Sequence, residues 1–316
     1  MKILNNIIMF FLIQCFGLNT YAQELPIKIT TKTGDIYGTL LLPEIKNKIP
    51  IVLIISGSGP TDRDGNNPTM INNSLKFLAE SLKNNGIASV RFDKRGIAAS
   101  KSAGLEEINL RFENYISDVN VWIDSLYNDK RFSKIIVLGH SEGSLIGMIA
   151  SVKNNKVNAF ISVAGAGRTA DELIKEQLKT QPQFLKDTMF VMIDKLKSGD
   201  TIANISPLLY SLFRPSIQPY MISWFKYNPQ TEIAKLEVPI LIIQGTTDIQ
   251  IKELDAELLH KSQPKAELRI IKNMNHILKN CETISKKAQT PIYNNPELPI
   301  NKELEDIIKI FIEKIK

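Results

Sequence analysis

The segment Ile49-Pro50-Ile51-Val52-Leu53-Ile54-Ile55-Ser56 is apolar at almost every position. A strand with one wet face alternates apolar and polar residues. A run without that alternation suits a strand covered on both faces, inside a parallel sheet with helices above and below. Similar runs recur at Ile87–Asp93, Lys134–Leu138, Val157–Val163, Pro239–Gln244 and Glu267–Ile271. Helical periodicity fills the intervals, near Asn72–Asn85 and over Leu110–Tyr127, Glu142–Val152 and Lys252–Lys261, and Glu303–Lys316 closes the chain as an amphipathic helix. Before the first run, Leu25–Thr31 and Asp35–Leu42 flank Thr33-Gly34 as an opening hairpin. The expected fold is therefore α/β, a mostly parallel central sheet with helices on both faces. From about residue 167 to 236 the pattern is helical, without a convincing strand and punctuated by Pro182, Pro207, Pro215, Pro219 and Pro229. That stretch is expected to be a helical insertion lying as a cap over the strand ends.

The first residues differ in kind. Lys2, an apolar run from Ile7 to about Leu18, and Thr20 and Ala22 at the −3 and −1 positions describe a secretory signal peptide cut after Ala22. The run is shorter than the ~20 residues of a membrane span. An uncleaved anchor is the alternative, as is a lipoprotein through Cys15, although Gln14 stands where a small residue is expected. The remainder, 23–316, would then be periplasmic or extracellular, with no stable membrane insertion. Loss of Cys15 leaves Cys281 alone, so no intramolecular disulfide forms; Cys281 lies in no elbow or helix-start pattern and reads as structural. The net charge of +6 is dispersed among lysines and acids, which argues against a nucleic-acid partner, since that needs a clustered basic footprint.

Gly139-His140-Ser141-Glu142-Gly143 is a G-x-S-x-G between an expected strand and an expected helix. The chain must turn there so sharply that side chains at the flanking glycines would collide, and the turn lifts the serine hydroxyl above the sheet. Ser141 is the candidate nucleophile. A serine hydroxyl is barely acidic and needs a general base. Of three histidines, His140 lies inside the turn and His260 sits on a helix among Leu258, Leu259 and Lys261. His276 follows the last strand, at the carboxyl edge of the sheet, and is the base by elimination and position. Asp248 ends Gln244-Gly245-Thr246-Thr247-Asp248 after the preceding strand, and is the acid expected to orient His276; Asp171 is its rival. The oxyanion of an acyl-transfer intermediate needs backbone donors, for which Glu142 N–H and Ser58 N–H in the loop Ser56-Gly57-Ser58-Gly59-Pro60 are the candidates.

The elbow, Asp248 and His276 resemble the α/β-hydrolase superfamily. Gly57-Ser58-Gly59-Pro60-Thr61-Asp62-Arg63-Asp64-Gly65-Asn66, Arg91-Phe92-Asp93-Lys94-Arg95-Gly96 and Pro215–Trp224 are similar, more closely, to a bacterial carboxylesterase group related to the thermophilic esterase EstD. The resemblance covers nearly everything after Ala22. It implies hydrolysis of small carboxylic esters with short acyl chains, no metal or other cofactor, and a site beneath a helical cap. The chain departs from it at Ile97-Ala98-Ala99-Ser100, where relatives carry a second glycine near Ala98. Asp62, Arg63 and Asp64 are expected to fix their loop, with contact to a polar substrate as the alternative, and Asp93 and Arg95 to pin theirs. Phe213, Tyr220, Trp224 and Phe225 are core aromatics or the lining of an acyl pocket. The expected function is that of a serine carboxylesterase; a peptidase or thioesterase with the same triad, and a non-catalytic binder on a hydrolase scaffold, are the alternatives. Subunit pairing, through the sheet edge or the cap, is left open.

Overall fold

A computed structural model describes residues 23–44 and 47–315. The segment read as a signal peptide, residues 1–22, lies outside the described residues. Eight strands, β1 (Gln23–Thr31), β2 (Gly34–Leu42), β3 (Ile49–Ile55), β4 (Ala88–Phe92), β5 (Phe132–His140), β6 (Ala159–Val163), β7 (Ile240–Gly245) and β8 (Glu267–Ile271), form one sheet in the order β1-β2-β4-β3-β5-β6-β7-β8. The β1–β2 hairpin and the β2–β4 pair are antiparallel, and every other pair is parallel.

The helices are α1 (Ser74–Asn84), α2 (Phe112–Asn128), α3 (Glu142–Ser151), α4 (Ala170–Gln177), α5 (Gln183–Lys197), α6 (Tyr210–Phe213), α7 (Gln218–Trp224), α8 (Pro229–Ile233), α9 (Glu253–Ser262), α10 (Lys286–Tyr293) and α11 (Lys302–Lys314). Successive strand side chains point to opposite faces, and β3 shows the consequence. Ile51, Leu53 and Ile55 join a cluster with Trp122 of α2 and Ile146 of α3, whereas Val52 and Ile54 join Leu78 of α1 and Ile308 of α11. Each such side chain, fully buried, contributes roughly 1.5–3 kcal/mol before entropy is charged against it. The unbroken apolar run of β3 is thus the mark of two cores sharing one strand.

Strand order also locates the working edge. After β3 the chain crosses to β4 on one side, and after β5 it crosses to β6 on the other, yet β3 and β5 are neighbours. The loops leaving their carboxyl ends diverge and open a crevice at this switch point. Those loops carry Gly57-Ser58 and the Ser141 elbow.

Between β6 and β7 lie α4 to α8, with their own apolar cluster that includes Met189, Ile193, Leu196, Phe213, Met221 and Phe225. This insertion leans on the start of α2 through a near-parallel stack of Trp224 on Phe112 (centroids 6.0 Å apart, 12° between planes) and Phe112 N–H donating to Ser223 Oγ at 2.8 Å. No helix among the described residues is long and apolar enough to cross a membrane. One helix, α10, has no counterpart in the sequence expectations. Its sequence is polar and carries Pro291, which removes a helical donor near the carboxyl end. It is anchored by buried Gln289, whose Nε2 donates to the carbonyls of Thr247 (2.8 Å) and Thr283 (2.7 Å).

Candidate active site

Ser141 stands between β5 and α3 with φ 55° and ψ −123°, a conformation costing a non-glycine residue about 1–3 kcal/mol. Its neighbours explain why the turn is held. A Cβ on Gly139 would lie 2.2 Å from the carbonyl oxygen of Gly143, and a Cβ on Gly143 would lie 2.4 Å from that of Ile55. The elbow packs too closely for any side chain at either place. Ser141 N–H donates to Val163 O at 3.0 Å, which clamps the turn to β6. Gly57 touches it from the β3 side, since a Cβ there would approach Ser141 Cβ to 3.1 Å. Neither Ser58 N–H nor Glu142 N–H has a hydrogen-bond partner among the described residues.

Asp248 and His276 come from the loops after β7 and β8. His276 Nδ1 lies 2.7 Å from Asp248 Oδ2, and both side chains are buried. Asp248 also accepts from Gln250 N–H (2.7 Å), Ile251 N–H (2.9 Å) and Gln244 Nε2 (3.0 Å). Burial alone would raise this carboxyl, but His276 and the backbone donors hold it below the ordinary aspartate range. The two loops are stitched together: Thr246 N–H donates to Ile271 O at 3.0 Å, and Asn273 N–H to the Thr246 side-chain Oγ1 at 3.0 Å. With Nδ1 donating to Asp248, the basic nitrogen of neutral His276 is Nε2.

The elbow and the histidine loop touch through His140. Its Nε2 lies 2.8 Å from His276 O and must be the donor, since a carbonyl only accepts; the two imidazole rings are 4.9 Å apart. Burial, and the neighbouring His276, push the His140 pKa down to about 4, so the ring is neutral at pH 7. Sequence reasoning discarded His140 as a base without seeing it as a strut. It likewise missed Gln244, whose signal was a lone amide ending the apolar run of β7.

The remaining candidates separate cleanly. Asp171 sits on α4 and accepts from Lys197 Nζ at 2.8 Å, away from the His276–Asp248 pair. His260 lies on α9, its Nδ1 buried without a partner. Asp62 accepts from the N–H groups of Asp64 and Asn66 at 2.9 Å each, and Arg63 pairs with Asp93 at 2.6 Å, both within the loop system after β3 and β4. Asp64 pairs with Arg91 at 2.6 Å. Arg95 reaches farther than its own loop and grips Asp118 of α2 (Nε to Oδ2 2.8 Å). Ala98 has φ 43°, a left-handed conformation that favours glycine. Phe213 and Phe225 are core of the insertion, whereas the Tyr220 hydroxyl donates to Glu142 Oε1 at 2.5 Å. Cys281 is buried and free.

Comparison with known proteins follows the same lines. The family described as serine aminopeptidase S33 matches residues 72–199. Esterase EstD of Thermotoga maritima is 25% identical over 287 residues, which cover 88% of this chain and 65% of that protein, so the chain spans a little under two thirds of that relative's length. Among solved structures, ferulic-acid-bound Est1E of Butyrivibrio proteoclasticus aligns with a TM-score of 0.61 at 15% identity, over 92% of this chain and 98% of that one. The α/β hydrolase GrgF of Penicillium sp. aligns with a TM-score of 0.62 at 16% identity, over 93% and 99%. An esterase of Pyrococcus furiosus aligns with a TM-score of 0.58 at 14% identity, over 93% and 91%. Strand order, the glycine-flanked elbow at the switch point and these similarities agree on the fold: the chain has the α/β-hydrolase fold.

Proposed function

We propose that this protein is a serine carboxylesterase acting on small esters with short acyl chains. The observation that carries the reading is the juxtaposition of a strained Ser141 elbow with a histidine loop whose imidazole is already paired to a buried aspartate at 2.7 Å. His276 Nε2 takes the Ser141 proton as Oγ attacks the ester carbonyl. Ser58 and Glu142 N–H receive the oxyanion, the alcohol leaves with the proton from His276, and an acyl-serine remains. His276 then takes a proton from water as it adds to the acyl carbon, and returns that proton to Ser141 Oγ as the acid leaves. Asp248 holds the imidazole tautomer and balances its charge. The helices α4–α8 form the cap that shapes the acyl pocket, and residues 1–22 are a signal cut after Ala22 on export, leaving Gln23 at the mature amino terminus.

Similarity to esterases supports ester over amide bonds. The serine aminopeptidase description keeps a peptidase as the second reading. The test is fluorophosphonate labelling with peptide mapping, beside turnover of p-nitrophenyl butyrate and of aminoacyl p-nitroanilides. Adduct on Ser141 alone, with ester turnover lost in Ser141→Ala, is the expected result. Preferential anilide cleavage turns the assignment to a peptidase, and a folded protein that takes no label defeats both.

A further inference from the structure

A buried charge cluster sits behind the elbow and takes no part in the proton transfers just described. Lys94, two residues after the end of β4, is 2% exposed. Its Nζ donates to the carbonyl of Gly57 at 2.5 Å and to Glu142 Oε2 at 3.2 Å, and stands 5.1 Å from the centre of the Tyr115 ring. Glu142 is 6% exposed, and its other carboxylate oxygen receives the Tyr220 hydroxyl of α7 at 2.5 Å. Removing an ammonium and a carboxylate from water is costly, and an apolar pair of similar volume is often as stable or more so. Stability alone therefore gives a weak account of this pair.

Its position gives a better one. The carbonyl of Gly57 and the N–H of Ser58 belong to the same peptide unit. No cis bond occurs among the described residues, and in a trans peptide these two groups point in opposite directions. An ammonium fixed on the carbonyl side turns the N–H to the other side and polarises it, strengthening the bond that N–H donates. The carboxylate that holds this ammonium belongs to Glu142, whose own backbone N–H is the second free donor at the elbow.

We infer that Lys94 and Glu142 are positioning residues of the oxyanion site. Lys94 sets the plane of the Gly57–Ser58 peptide, Glu142 locks Lys94 across the β3–β5 crevice, and Tyr220 links this strut to the insertion. The inference rests on the acyl-transfer reading and adds to it the device that pre-orients the donors.

The test compares Lys94→Met, of similar length but apolar, with Lys94→Gln, which keeps a donor for the Gly57 carbonyl. For each purified protein we would measure kcat and KM on p-nitrophenyl butyrate, Ki for an alkyl trifluoromethyl ketone, and Tm. The ketone is attacked by Ser141 to give a hemiketal oxyanion, so its affinity reports the donors directly. Lys94→Met is expected to lower kcat about 10- to 100-fold and weaken Ki by a similar factor, with KM nearly unchanged. Lys94→Gln is expected to recover part of both. A folded Lys94→Met protein with wild-type kcat and Ki overturns the inference, as does a fall in Tm with no change in Ki. If Lys94→Met does not fold, Glu142→Gln reads the same strut, and unchanged kcat and Ki in it are equally fatal. A wild-type protein that neither turns over ester nor binds the ketone defeats the acyl-transfer reading itself, and this inference with it.

Discussion

The loops at the carboxyl edge of the sheet and the helical insertion above them are held in different ways. The loops are cross-linked at short range. Asp248 receives four donors, Ser141 N–H is clamped to β6, and His140 ties the elbow to the histidine loop. The insertion is held mainly by its own apolar cluster and reaches the elbow through the Tyr220–Glu142 bond. It also carries exposed apolar side chains, with Leu208 at 77% and Phe184 at 68% exposure. Acyl transfer tolerates errors of only about 0.5 Å in its reacting groups, while a pocket wall can vary with substrate. Directional hydrogen bonds suit the first task and non-directional packing the second.

The sharpest way to break that comparison is at the aspartate. Asp248→Asn keeps the side chain's shape but offers His276 the wrong partner, and kcat on p-nitrophenyl butyrate is expected to fall about 10⁴-fold in protein that is still folded. Retained turnover would mean the dense bonding around Asp248 serves only structure. Phe213→Ala empties a fully buried position in the insertion and should cost about 3–5 kcal/mol, read as a lower unfolding midpoint. If the regions are as separable as their bonding implies, Ser141 labelling by fluorophosphonate below the transition stays near wild type. Labelling that falls in step with stability would show the two regions are one.

His140 offers a pH test of the edge alone. Its folded pKa, about 4, lies below the ordinary 6.5, so between those values the unfolded chain binds the extra proton and stability rises with pH. Stability from this ring is fully present above pH 6.5 and declines by roughly 3 kcal/mol as pH falls to 4. Asp248, whose pKa is lowered, keeps its contribution through that window and loses it only below the ordinary aspartate value. Chemical unfolding from pH 7 to 4 should show the slope in wild type and a flatter one in His140→Asn. The smallest effect is at Ala98, whose left-handed φ costs about 1 kcal/mol against glycine; Ala98→Gly should raise Tm by a few degrees without altering kcat. A lower Tm would mean the methyl group is needed where it stands.

Much of this architecture was legible because it depends on local chemistry. Unbroken apolar runs announce strands buried on both faces, as Ile51–Ile55 do, and glycines at 139 and 143 announce a turn that admits no side chain. The order of Ser141, Asp248 and His276, each just after a strand, follows from the alternation of strands and helices. Helix α10 was illegible because its segment is polar and proline-bearing, and its buried anchor, Gln289, binds the carbonyls of Thr283 and of Thr247, 42 residues away in sequence. The helical insertion was visible as helical, but the roles of its aromatics were not. Phe213 and Tyr220 look alike in sequence, yet one fills the insertion's core and the other reaches Glu142.

The sequence by itself determined the sheet's buried strands, the elbow and the candidate nucleophile, acid and base, because periodicity and steric exclusion act within a few residues. Tertiary structure alone decided which polar groups meet. Lys94 against Gly57 and Glu142, His140 against His276 O, and Gln244 against Asp248 are contacts between residues that neither spacing nor composition relates. A buried polar group must find a partner wherever the fold supplies one, and that partner is chosen by strand order and loop path, which only the assembled sheet defines.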